Sequence, residues 1–131
     1  MKYLLDVNAI VAFGHTEHEF HYRVATWAAK MAQKNVPQFF TSPITELGLV
    51  RIMSQAYGAT VNQAQALLLK LKESEQYEFR FLVDDDDASK LPSWVVLAKH
   101  TTDGHLLELA KTHGCQLATF DTNIPDAFII P

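Results

Sequence analysis

The chain has 131 residues, 48% of them hydrophobic, which is the size of one ordinary domain that buries most of its apolar surface without metal or disulfide staples. A net charge of -4 and a pI of about 5.8 argue against a broad basic face that grips nucleic acid, but not against a nuclease whose own acids create that balance. One cysteine, Cys115, excludes an internal disulfide, no CxxC or Cys/His finger spacing offers structural zinc, and a reduced cytoplasm is the expected setting.

The N-terminal run MKYLLDVNAIVAFGH carries a single lysine and is broken by Asp6 and Asn8, so it reads as a strand and not as a signal peptide. Tyr3 to Leu5 starts that strand, and Val7 to Phe13 continues as apolar residues suited to packing behind a sheet. From His18 to Lys34, Phe20, Val24, Trp27 and Met31 recur at helical spacing, with Asn35 and Pro37 closing the helix. Gln38 to Thr41 is a second strand. Ser42 followed by Pro43 is an N-cap with proline at the first helical position, and the stripe Leu47, Val50, Met53, Tyr57 runs to Gly58. Thr60 to Leu71 is a further helix with Val61, Ala64, Leu67, Leu68 and Leu71 on its apolar side. Phe79 to Val83 is a third strand, followed by the acidic run Asp84 to Asp87. Thr102 is expected to cap a helix carrying Leu106, Leu107 and Ala110, which Gly114 ends. Gln116 to Phe120 and Ala127 to Ile130 complete the strands. No stretch approaches the roughly 20 apolar residues of a membrane span.

Strands alternating with helices predict one α/β domain over residues 1–131, a three-layer α/β/α sandwich around a mostly parallel sheet of four to five strands. In such a sheet the carboxyl ends of the strands share one edge, where ligands bind. Asp6, Glu46, Asp103 and Asp121 each fall where a strand ends or the next helix begins, so they are expected to converge there. Converging acids repel one another unless cations neutralise them, and oxygen-only ligation selects hard ions such as Mg²⁺ or Mn²⁺. That is the chemistry of metal-dependent phosphodiester cleavage.

Four blocks, LLDVNAIVA, FTSPITELGLVRI, HTTDGHLLELAKTHG and QLATFDTNI, resemble in order and spacing the PIN-domain ribonucleases, and among them the VapC-type toxins of toxin–antitoxin pairs. The resemblance covers nearly the whole chain. It implies that Asp6, Glu46, Asp103 and Asp121 hold one or two Mg²⁺ or Mn²⁺ ions, with Asn8 and Thr119 orienting the acids or completing the water network. One ion would activate a water, the other would offset charge on the leaving 3′-oxygen, and the cut would leave 5′-phosphate and 3′-hydroxyl ends. It further implies an RNA substrate, a cognate antitoxin that neutralises the toxin, and a homodimer. The apolar residues of the His18–Lys34 and Thr60–Leu71 helices are the expected surfaces for a second copy and for an antitoxin helix. Two departures stand out. Asn123 occupies a position where many relatives carry a further acid, which weakens a second metal, and Gly104 directly after Asp103 is a poor helix former expected to loosen that ligand.

Bland roles compete with these. An acid such as Asp103 is common at a helix N-terminus for electrostatic reasons alone. Glu46 lies one residue past the position a capping box from Ser42 would use, and Asp6 sits between Leu5 and Val7, so neither is readily idle. Asp84 to Asp87 reads as a solvated turn capping a short helix before Leu91 and Pro92. His15, His18 and His21 recur every three residues, which suits exposed histidines better than zinc, or places them beside Asp6 facing substrate. Arg51 is either an RNA contact or a paired surface residue. Trp27, Trp94 and Cys115 read as packing residues. A phosphate-accepting receiver domain lacks its paired acids and its terminal lysine here, and no Walker A, GxGxxG, GxSxG or HExxH motif is present. The alternative function is a catalytically inactive PIN scaffold that binds protein or RNA.

Overall fold

The structure, a computed structural model, describes residues 1–34 and 38–131. Its elements run β1 (Lys2–Leu5), α1 (Val7–Gly14), α2 (His21–Ala32), β2 (Gln38–Thr41), α3 (Pro43–Ala56), α4 (Val61–Lys72), β3 (Glu78–Phe81), α5 (Thr101–Thr112), β4 (Gln116–Thr119) and β5 (Phe128–Ile129). Short 3-10 turns at Ala88–Lys90 and Ala98–His100 lie between β3 and α5. All strand pairings are parallel, in the order β3-β2-β1-β4-β5.

Successive side chains on a strand point to opposite faces, so each strand feeds two cores. Tyr3, Leu5, Phe39 and Ala118 enter the core covered by α1 to α4, whereas Leu4, Phe40 and Leu117 enter the one covered by α5. The result is the expected α/β/α sandwich. Trp27 is buried in the first core and Trp94 packs against the second.

Val7 to Phe13 does not extend the strand. It forms α1, because Asp6 leaves the sheet in an extended conformation and its carboxylate caps the Ala9 N–H at 2.8 Å. Ala9, Ile10, Val11 and Ala12 are all buried, and a helix apolar all round is one enclosed by its neighbours. A Cβ on Gly48 would lie 2.7 Å from a Val7 methyl, which shows how closely α3 approaches α1. The second helix is shorter than its apolar stripe suggested, His21–Ala32, and its expected closure at Asn35 and Pro37 lies outside the described residues.

Ser42 caps α3 through the Thr45 N–H, and Thr60 and Gln63 form a capping box at the start of α4. Thr102 is not a cap. The 3-10 turn Ala98–His100 runs directly into α5, so Thr101 and Thr102 are already helical and the Thr101 N–H bonds to the Ala98 carbonyl. Gly114, at φ +68°, ends the helix as the sequence predicts.

Gly104 does not loosen Asp103. It is buried, and an added Cβ would come within 2.3 Å of Val95 Cγ2 and 3.3 Å of Pro92 Cδ, so its small size allows the 92–95 loop to clamp the first turn of α5. Gly104→Ala is therefore expected to destabilise the protein by about 1–3 kcal/mol in urea unfolding despite alanine's better helix propensity. Val95→Ala in the same background should recover part of that loss, and an additive double mutant would rule the clash out.

Candidate metal centre

From β1 the chain moves outward through β2 and β3, then returns to place β4 on the other side of β1. The carboxyl ends of β1 and β4 thus flank the switch point at which open parallel sheets form their ligand crevice. Asp6 follows β1 directly, and Asp121 follows β4 by two residues.

Asp6 is buried, at 3% exposure. Its N–H donates to the Ala118 carbonyl at 3.1 Å, one carboxylate oxygen accepts from Ala9 N, and the other accepts from Thr119 Oγ1 at 2.5 Å. The same Thr119 hydroxyl accepts from the Asp121 N–H at 3.0 Å, so one fully buried side chain spans both acids. Asp121 in turn accepts from the Asn123 backbone N–H at 2.9 Å, a turn in which the exposed Asn123 side chain takes no recorded part. Asp103 comes from the opposite helical layer, half-buried in the first turn of α5.

Burial raises the pKa of both Asp6 and Asp103, and their neighbours add to the shift. Burial is the main cause for Asp6, opposed by the hydrogen bonds from Thr119 and Ala9 and reinforced by the charges of Asp103 and Asp121, and it moves the group from 3.8 to about 6. Asp103 is raised by burial and then by Asp121, with His100 partly opposing.

Glu46 lies in the first turn of α3 but is differently engaged. Its Oε2 accepts from Thr41 Oγ1 at 2.5 Å and from Lys72 Nζ at 2.9 Å. Thr45 Oγ1 donates to the Leu5 carbonyl at 3.2 Å and fastens this turn to the end of β1. Lys72, at the end of α4, gave no sign of a site role in sequence, because a lysine in a helix's last turn is ordinary.

Among the described residues no three His, Cys, Asp or Glu side chains gather closely enough to cage one metal. A closed zinc-type site is therefore a poor fit. The oxygen donors fit Mg²⁺ or Mn²⁺ better, since Mg²⁺ keeps several waters and takes only one or two carboxylates together with substrate phosphate. The mutually repelling acids Asp6, Asp103 and Asp121 are the groups such an ion would reconcile.

The remaining candidates are scattered. Asn8 is exposed in the first turn of α1. His15 does not lie beside Asp6: it ends the helix that Asp6 begins, about 13 Å along the axis by helical rise, and packs on Tyr57. His18 accepts from Phe20 N and His21 pairs with the Ala12 carbonyl, so the three histidines share no ligand. Arg51 is exposed on α3 with no recorded hydrogen bond or ion pair among the described residues. The acidic run divides. Asp87 caps the Ala88–Lys90 turn as expected, but Asp84 is not solvated: its side chain is 6% exposed and contacts His105 Nε2 at 2.6 Å, fastening the loop to α5.

The raised Asp6 pKa has a consequence for stability. Between the unfolded value and about 6, the folded chain binds this proton more tightly than the unfolded chain does, so metal-free stability falls as pH rises. Asp6 alone should account for a loss of about 1.4 kcal/mol between pH 5 and pH 7.5. Asp6→Asn keeps the cap to Ala9 and should lack this component in urea unfolding; an identical pH slope in both proteins would refute the assignment.

Comparison with known proteins places the chain in a family. The PIN domain profile matches residues 3–128. The protein named Ribonuclease VapC38 of Mycobacterium tuberculosis is 35% identical over 92% of this chain and 86% of its own length. Ribonuclease VapC44 of the same species is 32% identical over 95% of this chain and 89% of its own. A chain in the crystal structure of VapBC2 from Rickettsia felis, bound to a DNA fragment from their promoter, superposes with a TM-score of 0.67. It covers 98% of this chain and 97% of its own at 14% identity, which speaks for the fold alone. With the PIN domain matching residues 3–128 and these relatives covering most of its length, the chain belongs to the PIN-domain family, among the VapC ribonucleases.

Proposed function

We propose that the protein is a Mg²⁺- or Mn²⁺-dependent endoribonuclease toxin, cutting RNA phosphodiester bonds with metal-activated water and neutralised by a cognate antitoxin. The observation that carries this reading is the arrangement at the β1/β4 crevice, where Thr119 joins the Asp6 carboxylate to the Asp121 backbone and α5 brings Asp103 within reach of their charges. The names of the relatives support ribonuclease activity, and the Rickettsia felis assembly supports an antitoxin partner.

Asp6, Asp103 and Asp121 are the residues that would hold the ion, with Glu46 on the same sheet edge. A divalent cation there supplies acidification of a water and a counter-charge for the phosphate being cut. The protein's own part is orientation. Thr119 and the α1 N-terminus fix the two oxygens of Asp6, so this acid presents one geometry and loses little entropy on engaging a ligand. A cleft of about 420 Å³ opens between the starts of α3 and α5, lined by Ile44, Asp84, Leu91, Thr102 and His105 among others and by none of the four acids, with room for an unstacked nucleotide.

The partner surface differs from the sequence expectation. Val24 and Trp27 of α2 are buried in the protein's own core and are not available to a second copy. On α4, Val61 and Leu69 remain 54% and 56% exposed, and a groove of about 480 Å³ runs between Phe13, Leu67, Leu71 and Tyr77. This groove suits an apolar helix of the antitoxin, and the exposed α4 residues suit a homodimer contact. No helix among the described residues is long and apolar enough to cross a membrane, and the proposed setting is the cytoplasm.

The test is digestion of total cellular RNA by the antitoxin-free protein with Mg²⁺ or Mn²⁺. Discrete fragments are expected, lost with EDTA and lost by a factor of at least about 10³ with Asp103→Asn. RNA left intact by a protein that demonstrably binds the ion would turn the reading toward an inactive scaffold.

A further inference from the structure

The fold treats the acids of this centre unequally. The neutral hydroxyl of Thr119 serves the Asp6 carboxylate and the Asp121 backbone N–H, but Glu46 comes with a cation of its own. Lys72 places its ammonium 2.9 Å from Glu46 Oε2, the oxygen that also receives the Thr41 hydroxyl, and 5.2 Å from the centroid of the Phe81 ring. Thr41 ends β2 and Phe81 ends β3, so the pair is held at the same sheet edge as Asp6 by two neighbouring strands. Lys72 and Glu46 side chains are 32% and 17% exposed, which makes this a partly desolvated contact and not a surface pairing of two mobile side chains. An ion binding Glu46 at Oε2 must displace both the ammonium and the hydroxyl, and one binding at Oε1 meets the repulsion of Lys72 beside it.

We propose that Lys72 is the second cation of this centre: held on Glu46, its ammonium takes the place of a second divalent ion, and the acids of the β1/β4 crevice hold a single one. The inference rests on the metal-dependent reading above and adds how many ions the centre takes and what replaces the other. A lysine ammonium has three donors, so with one on Glu46 two remain for a phosphate oxygen of the RNA. Lys72 thereby also supplies a positive charge at this sheet edge of an acidic protein.

The experiment is calorimetric titration of the metal-free protein with Mn²⁺, with RNA cleavage measured on the same preparations. Wild type should take one ion per chain, Lys72→Arg should also take one, and Lys72→Met should take two because Glu46 is released. Glu46→Gln should still bind one ion with little change in affinity, whereas Asp103→Asn should weaken it by about 10–100-fold. A purely structural ion pair would leave the stoichiometry of Lys72→Met at one, and that result, or two ions on wild type, overturns the inference. Should Lys72→Met not fold, a large loss of Mn²⁺ affinity in Glu46→Gln overturns it equally. One bound ion with uncut RNA would instead overturn the nuclease reading and leave the Lys72 assignment standing, while wild type that binds no Mn²⁺ overturns both.

Discussion

The carboxylate of Asp6 is where fold and site compete for one group. Its oxygens start α1 through Ala9 and bind Thr119 at the end of β4, and its backbone N–H continues the β1/β4 ladder. These contacts favour the ionised form, yet burial and the nearby charges of Asp103 and Asp121 oppose it more strongly. A buried charge left without a counter-charge is costly, and in the proposed function the counter-charge is a cation from solution. On that reading, protein stability and metal binding are linked through a single side chain.

The other acids are placed so that this competition is confined to a small volume. Asp121 follows the strand that Thr119 ends, and Asp103 is carried by the only helix packed on the second face of the sheet among the described elements. That helix owes its position to Gly104, whose missing side chain admits Val95 and Pro92, and to the Asp84 contact of the next residue, His105. Both features lie outside the acid cluster and both fix the direction from which Asp103 enters it. On the other flank, Lys72 neutralises Glu46 before any ion arrives.

Much of this was legible in the residues. Ser42 with Pro43, Thr60 before an apolar stripe, and Gly114 after one are local signals, because caps and a left-handed turn need only their immediate neighbours. Asp6, Asp103 and Asp121 stood out because each ends a strand or opens a helix in an apolar setting. The helix Val7–Gly14 was not legible: a continuous apolar run has neither strand alternation nor a polar face, and only its enclosure by the sheet, α2 and α3 makes it helical. The same limit applies to Val24 and Trp27, whose stripe reads equally as interface or as core until the sheet covers it.

The sequence by itself determined most of the element types, the parallel α/β class, the family and the candidate acids, since these follow from periodicity, capping chemistry and blocks of adjacent residues. Only the tertiary structure decided how those acids are partnered. Thr119 between Asp6 and Asp121, Lys72 on Glu46 and His105 on Asp84 join residues 113, 26 and 21 positions apart, or bridge separate elements, and no local rule connects them. Hydrogen bonds and charges act over a few ångströms in space, and the order of strands in the sheet sets which distant residues come within that range.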